Sequence, residues 1–280
     1  MTRLVLVSGK GGVGKSAVAA AYAFAAKRTG SRVLAVDMIN AGSLGPHLGE
    51  PELSFTPRPV GDGLEALTID RADALIEYLR VQIGVPALAT IGPAARAFDA
   101  LASTAPAVRE VVTMGKVLWE VKKGTWDVVV ADAPPTGQIG SFLRSPRSVR
   151  QLVATGRILD QVEWMDAILT DPALAQLVLV TLLEELPVVE TTETQGWVLE
   201  EALVGDVTIV ANRVLPALGT AVPEDDGPMV EAARLHQSLW SEQQEWATRL
   251  EIDLRLPYLF GTHTPPEVAE RLADVLEEEP

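Results

Sequence analysis

The chain alternates short apolar runs with longer stretches in which apolar residues recur every three or four positions. Short runs rich in valine, leucine and isoleucine are typical of strands buried on both faces, and the longer periodicity is typical of helices. The predicted strands span residues 3–8, 32–37, 64–70, 127–132, 176–183, 207–212 and 252–259, of which 64–70 and 252–259 are the weaker two. This alternation predicts an α/β fold with a doubly wound, mostly parallel sheet covered by helices.

The helical pattern indicates additions to this sheet. Helices are predicted from Lys15 to about Thr29 and over residues 71–83, 103–123, 148–169, 228–250 and 265–276. The region between residues 37 and 127 holds only one weak strand, so helices beside the sheet are predicted to fill most of it. We therefore expect a single domain over residues 1–280, with helical insertions around 71–125 and 143–175.

Composition narrows the classes of function. The 280 residues carry a net charge of −15 and include no cysteine, which excludes disulfides, thiolate metal sites and cysteine nucleophiles. The negative charge disfavours nucleic acid and anionic membranes, and the longest apolar stretch, 173–183, is too short to cross a bilayer. We expect no nucleic-acid partner, no integral membrane segment, no targeting peptide and a cytoplasmic location. The three histidines lack ligand spacing.

Residues 8–16, SGKGGVGKS, fit the pattern G-x-x-x-x-G-K-[ST] directly after a predicted strand and directly before a predicted helix. Such a loop turns backbone N–H groups toward phosphate, and the positive end of the following helix assists them. Lys15 is predicted to contact the β- and γ-phosphates, and the Ser16 hydroxyl is predicted to bind Mg²⁺. The predicted phosphate-binding residues are Gly11, Gly12, Val13, Gly14, Lys15, Ser16 and Ala17.

A second lysine in this loop, Lys10, needs its own explanation, because cradling a phosphate normally takes one. The segment KGGVGKS resembles the deviant Walker A motif K-G-G-x-G-K-[ST] of the ATPase family that includes MinD, ParA, nitrogenase iron protein, ArsA and the ATPase that targets tail-anchored proteins. The resemblance implies ATP and Mg²⁺ as cofactors. It also implies that Lys10 is catalytic and acts across a dimer, on the nucleotide of a partner protomer.

Further segments resemble the ArsA and tail-anchored-protein-targeting branch. In residues 126–143, a buried strand ends on Asp132 and continues into D-A-P-P-T-G, which looks like that branch's switch II. The resemblance implies that Asp132 acts in catalysis and holds Mg²⁺ together with Ser16. Residues 209–216 look like its adenine-reading segment, with Asn212 as the reader, although an asparagine after a strand often merely ends it. Pro257 completes the predicted nucleotide-binding set. The carboxylates of residues 184–193 are interpreted as a solvated helix face.

The chain also departs from that family. Without cysteine, neither metalloid handling nor a zinc-bridged dimer is expected. The helical insertions occupy the places where the targeting branch keeps its client groove, but ordinary amphipathic helices explain the same sequences equally well. The expected partners are therefore ATP or ADP and a second protomer, either a copy of this chain or a related ATPase, with a protein client as an open alternative.

Switch I raises a question about turnover. In the family, the second strand ends near an aspartate that orients the attacking water. When this chain is aligned from Val33 without gaps, Ile39 falls on the position of that aspartate, and Asp37 falls two positions before it. Isoleucine cannot orient water, so slow hydrolysis is predicted unless Asp37 or Asn40 reaches the water. Two interpretations follow: an ArsA-like ATPase working as a nucleotide-dependent dimer, in which Asp37 is catalytic, or a hydrolysis-weak regulatory subunit of a heterodimer.

Overall fold

One eight-stranded sheet organises the protein. The computed structural model describes residues 1–77, 107–153, 155–219 and 227–278. The strands are β1 (Arg3–Gly9), β2 (Val33–Asp37), β3 (Arg58–Gly61), β4 (Leu64–Thr68), β5 (Val128–Asp132), β6 (Ala175–Thr181), β7 (Asp206–Val214) and β8 (Leu254–Pro257). Their order across the sheet is β3-β4-β2-β5-β1-β6-β7-β8. Every neighbouring pair is parallel except β3 and β4, which confirms the predicted mostly parallel α/β sheet.

Helices cover both faces of this sheet. The described helices are α1 (Lys15–Arg28), α2 (Leu44–His47), α3 (Arg71–Glu77), α4 (Ala107–Lys123), α5 (Thr136–Arg150), α6 (Arg157–Thr170), α7 (Glu185–Glu200), α8 (Pro228–Ala247) and α9 (Pro265–Glu278). Helices α1 and α9 pack on each other on one face, while α4, α5 and α6 pack in sequence on the other.

Alternation along the strands divides the core between these two faces. Leu4 and Leu6 of β1 belong to the apolar cluster beneath α4, α5 and α6, whereas Val5 and Val7 belong to the cluster beneath α1 and α9. Successive side chains of a strand point to opposite faces, so a central strand covered on both sides must be apolar throughout. The buried residues of α1 are small: five alanines and one valine.

Some sequence predictions need correction. The edge strand β3 was not predicted; it is short, largely exposed and contains Pro59, so it lacks the apolar run by which strands are recognised. The prediction of one continuous helix over 148–169 is wrong, because α5 ends at Arg150 and α6 begins only at Arg157, after Gly156 with φ 98°. Residues 78–106 of the predicted insertion at 71–125 lie outside the described residues. The single-domain assignment stays a prediction.

Candidate functional site at the carboxyl edge of the sheet

The carboxyl ends of the central strands bring the predicted site residues to one edge. In the parallel ladder, Asp37 at the end of β2 pairs in register with Asp132 at the end of β5, and Val7 of β1 pairs with Asp132 from the other side. The connection after β1 leads toward β2, while β6 lies on the opposite side of β1. Such a reversal of strand order opens a crevice at the carboxyl edge, where α/β proteins bind ligands.

Residues 9–16, the predicted phosphate loop, follow β1 at this crevice. A Cβ at Gly9 would lie 2.1 Å from the carbonyl oxygen of Val180, so the loop passes β6 too closely for any side chain. Gly11 and Gly12 have open space where a side chain would point, and Gly12 takes the left-handed φ of 89°. Val13, within the loop, and Ala17, in the first turn of α1, are buried. The loop therefore leaves its glycine backbone accessible to a ligand.

Lys15 begins α1 and brings a cation to the loop. Its Nζ donates to the carbonyl oxygen of Lys10 at 3.3 Å, which folds the side chain back over the loop. Burial lowers the pKa of the Lys15 ammonium, while the nearby Asp132 carboxyl opposes that shift. A half-buried cation of this kind gains most from an anionic ligand, because the ligand replaces the solvation lost on burial.

Ser16, Ser43 and Asp132 form an oxygen-rich group beside the loop. The Ser16 hydroxyl donates to Asp132 Oδ2 at 2.6 Å and lies 2.9 Å from the Ser43 hydroxyl, which is 3.5 Å from the same carboxylate oxygen. Burial raises the pKa of the Asp132 carboxyl to about 6, against the hydrogen bond from Ser16, and the neighbouring Asp37 raises it further. Ser43 was not predicted, because a serine in a loop several residues after a strand gives no sequence signal.

This group suits a magnesium ion held with a nucleotide. Mg²⁺ prefers oxygen ligands and usually takes only one or two from the protein, the others coming from water and phosphate. The Ser16 hydroxyl and the Asp132 carboxylate meet that requirement. Nowhere among the described residues do three or more His, Cys, Asp or Glu side chains cluster as a metal site, so a metal bound by protein side chains alone has no support there.

Asp37 holds the turn that follows β2. Its carboxylate accepts backbone N–H groups from Ile39 at 3.2 Å, Ala41 at 3.3 Å and Gly42 at 3.0 Å, and the residue is only 1% exposed. Ile39 packs, half-buried, against the apolar core under α4 and α5. Asn40 has φ 52° and accepts a hydrogen bond from Thr68 at 3.2 Å. Asp37 therefore organises this turn, whatever further role it has.

Lys10 is paired within its own chain. Its ammonium forms an ion pair and hydrogen bond with Glu190 Oε1 of α7, and Glu190 Oε2 accepts the Thr136 hydroxyl at 3.1 Å. The bond from Lys10 lowers the pKa of the Glu190 carboxyl. The interpretation of residues 184–193 as a merely solvated face is wrong for Glu190, which links the phosphate loop to the first residue of α5. Its neighbours in sequence gave no hint of this contact.

Asn212 lies against the phosphate loop. Its Nδ2 donates to the Val13 carbonyl at 2.8 Å, its Oδ1 accepts the Arg213 N–H at 2.9 Å, and a Cβ on Gly14 would lie 2.5 Å from Nδ2. Asn212 is buried and supports the loop. Pro257 ends β8 beside Val214, at the same edge of the sheet. The structure brings Asn212 to the loop and Pro257 to the same edge of the sheet, and adenine reading stays a prediction.

Comparisons with known proteins agree with this geometry. A family model described as "Anion-transporting ATPase" matches residues 2–157. The ATPase BagA of Mycobacterium tuberculosis is 36% identical over 77% of the chain, and the match spans 66% of that relative's length, just under two thirds. ATPase GET3 of Phaeosphaeria nodorum is 28% identical over 51% of the chain and 45% of its own length. A protein of Aquifex aeolicus named as an arsenical pump-driving ATPase is 30% identical over 51% of the chain and 38% of its own length.

Proposed function

The chain belongs to the anion-transporting ATPase family, and we propose that it binds Mg-ATP and uses the nucleotide state to control the association of two protomers. The observation that carries this proposal is the convergence of Lys15, Ser16 and Asp132 at one glycine loop. They supply a cation, a hydroxyl ligand and a carboxylate, three groups that a bound Mg-triphosphate requires.

Within this site, each residue has a distinct task. The accessible backbone of Gly11 and Gly12 and the N-terminus of α1 receive the phosphate oxygens, and Lys15 neutralises their charge. Ser16 and Asp132 would hold Mg²⁺, which neutralises charge on the phosphates when bound. Asp132 must be ionised for this task, and its raised pKa keeps it partly protonated near pH 6 in the nucleotide-free chain.

Lys10 belongs to the association step. In a single chain it is held by Glu190, so reaching the phosphates of a partner protomer requires that the ion pair open. The pair is exposed to solvent, with exposed side-chain fractions of 31% and 36%, so breaking it costs at most about 1 kcal/mol. A bound triphosphate on the partner carries several negative charges and competes readily for the ammonium.

A second candidate function is a regulatory subunit that binds ATP and hydrolyses it poorly. The observation in its favour is the turn after β2: Asp37 is occupied by three backbone N–H groups, and Ile39 packs against the core. Ile39 has no polar atom with which to orient a water, and Asp37 is buried with three of its roughly four acceptor positions taken. The resemblance of residues 126–143 and 209–216 to the targeting branch supports protein targeting or chaperoning in the cytoplasm as the process. Within the described ranges, no helix combines the length and apolar character needed to span a bilayer.

Titration calorimetry with Mg-ATP tests the proposal. Lys15→Ala should weaken binding about 10- to 100-fold, the range expected when a charged hydrogen bond to phosphate is lost. Lys27→Ala, at the other end of α1, is the matched control and should bind as the wild type does. Equal affinity in Lys15→Ala and wild type would remove the basis for placing phosphates in this loop. Phosphate release, measured on the same samples, separates the ATPase from the regulatory subunit.

A further inference from the structure

A cavity lies at the amino-terminal edge of the sheet, opposite the phosphate loop. The first three residues of β1, β5, β6, β7 and β8 contribute its floor, and the second half of α1 and the end of α9 contribute its walls. The cavity has a volume of about 720 Å³, and no residue of the loop 9–16 lines it. We call it the amino-edge cavity. Cavities of this size accommodate small organic molecules.

The floor of the cavity carries a row of polar side chains. Alternate positions of a strand share one face, so Arg3 lies on the same face of β1 as the buried Val5 and Val7. Arg3 Nη2 donates to Gln176 Oε1 at 2.8 Å, and Gln176 Nε2 donates to Thr208 Oγ1 at 2.6 Å. Polar groups that face a helix are stable there when they are hydrogen-bonded or face a polar ligand or water. The bond to Gln176 uses one of the five N–H donors of the Arg3 guanidinium, so the others can bind a ligand.

Helix α1 leaves room above this floor. The residues of α1 that line the cavity are Tyr22, Ala25, Ala26 and Thr29, which recur at i, i+3, i+4 and i+7 and therefore share one face of the helix. After Tyr22 all of them are small, so the last two turns of α1 do not fill the space over the strands. The apolar side chains opposite belong to aliphatic residues of β1, β5 and β8. The cavity can therefore hold an aliphatic group, but it offers little surface for stacking an aromatic ring.

Tyr22 adds a hydroxyl to the cavity. This hydroxyl has no hydrogen-bond partner among the described residues, although a buried tyrosine hydroxyl usually finds one. Burial raises the pKa of the Tyr22 phenol to about 12, against the effect of the nearby Arg3 guanidinium, and the Asp253 carboxylate adds to the rise. The phenol is therefore protonated at neutral pH and can donate a hydrogen bond. Tyr22 and Arg3 together offer donors to one anionic group.

The charged residues that line the cavity differ in how far they are already paired. They are Arg3, Arg28, Asp253 and Glu277. Arg28 donates to two carboxylates of α9 at 2.7 and 3.0 Å, and Glu277 is one of them. Asp253 accepts a backbone N–H of β7 at 2.7 Å and lies beyond β6 and β7 from Arg3. No carboxylate of the described residues pairs with Arg3. Arg3 is thus the charged group left for a ligand, and a guanidinium binds a carboxylate through two parallel N–H bonds.

We propose that the amino-edge cavity binds a small aliphatic carboxylate. The carboxylate group accepts hydrogen bonds from Arg3 and from the Tyr22 hydroxyl, and the hydrocarbon part lies over Ala25, Ala26 and the valines of β1 and β5. This site shares no residue with the phosphate loop and does not depend on nucleotide binding.

Equilibrium dialysis of the full chain against radiolabelled octanoate tests this proposal. Unlabelled octanol, octylamine and butyrate compete for the site at about 150 mM salt, which suppresses unspecific attraction. Octanol lacks the charge, octylamine reverses it, and butyrate keeps the carboxylate but has less hydrocarbon to bury. We expect saturable binding of one octanoate per chain. Each competitor should need at least about tenfold higher concentration than unlabelled octanoate to displace the label.

Variants of the lining residues locate the binding. Arg3→Gln and Tyr22→Phe should each weaken octanoate at least about fivefold, because each removes a donor to the carboxylate. Ala26→Leu should weaken it by a similar factor, because the larger side chain takes up the space of the hydrocarbon part. Arg58→Gln is the matched control, since Arg58 is an exposed arginine of β3 outside the cavity, and it should bind as the wild type does. Circular dichroism and Mg-ATP affinity equal to those of the wild type show that each variant is folded.

Several outcomes overturn the proposal. No saturable binding of octanoate, or equal binding by folded Arg3→Gln and Tyr22→Phe variants, would show that the cavity does not take a carboxylate. Octanol or octylamine that competes as well as octanoate would show that the cavity does not recognise the charge. An equal loss in Arg58→Gln would show that the effect is unspecific. If Mg-ATP displaces octanoate, or if Lys15→Ala loses it, the carboxylate occupies the phosphate loop instead.

Discussion

Lys10 of the phosphate loop and Glu190 of α7, 180 residues apart, are bonded to each other within one chain. The same carboxylate accepts the hydroxyl of Thr136, where the segment after Asp132 enters α5. Glu190 thus contacts both the cation proposed to act on a partner and the segment that follows the proposed magnesium ligand. One side chain therefore links these two elements.

The first prediction concerns this pair. Glu190→Gln removes the charge that retains Lys10, so ATP-dependent association should strengthen by up to about fivefold, the equivalent of an exposed ion pair. Sedimentation with a non-hydrolysable ATP analogue measures the effect. Lys10→Ala should abolish the association while leaving nucleotide affinity of the protomer nearly intact. Glu193→Gln, an exposed glutamate of the same helix, is the control. Weaker association in Glu190→Gln would show that the pair helps the dimer to form.

A second prediction uses the titration of Asp132. Burial raises its pKa from the ordinary 3.8 to about 6, so between these values the folded chain binds more protons than the unfolded one. The free energy of unfolding therefore falls as pH rises through this window, and the ionised carboxyl costs about 2–3 kcal/mol above it. Asp132→Asn should be more stable than the wild type at pH 7.5, and the difference should shrink toward pH 5.

Urea unfolding without nucleotide, at a series of pH values, measures this difference. Asp127→Asn is an informative control, because the hydrogen bond from Arg32 lowers the pKa of that exposed carboxyl to about 2. Asp127→Asn should lower the free energy of unfolding by a nearly constant amount between pH 5 and 7.5. The reason is that the Asp127 carboxyl of the wild type is ionised in both the folded and the unfolded chain over this range. A gap between Asp132→Asn and the wild type that is the same at every pH would mean that Asp132 does not titrate in this window.

The third prediction separates two roles of Asn212. Asn212→Ala removes the donor to the Val13 carbonyl, so affinity for both ATP and GTP should fall about tenfold, as for a lost buried hydrogen bond. If Asn212 also reads the base, ATP should lose more than GTP, and selectivity should narrow. We expect this larger loss for ATP. Calorimetry with both nucleotides decides, and an equal loss for the two would restrict Asn212 to support of the loop.

The fourth prediction concerns turnover. Asp37 is occupied by backbone N–H groups and Ile39 packs against the core, so the wild-type chain alone should release phosphate barely above background. Asp37→Asn should leave this low rate unchanged and lower stability by about 1–2 kcal/mol, because an acceptor for buried N–H groups is weakened. Rapid turnover by the wild type that disappears in Asp37→Asn would show instead that Asp37 orients the water.

The sequence by itself determined the phosphate loop, the α/β class and the end of β5 at Asp132. These features depend on residues that are close in sequence, because the spacing of glycines defines the loop and the period of apolar residues defines each strand or helix. The edge strand β3 and the break at Gly156 could not be recognised from the sequence pattern. An exposed strand that contains proline has no apolar pattern. A single glycine can end a helix while the apolar residues on either side of it still recur at helical spacing.

Only the tertiary structure decided which distant side chains meet. The contacts of Lys10 with Glu190 and of Asn212 with the Val13 carbonyl join residues 180 and 199 positions apart. Sheet order places β6 beside β1 and β7 beside β6. The sequence pattern shows which residues are apolar, but it does not show which distant residue a polar side chain on these elements will contact.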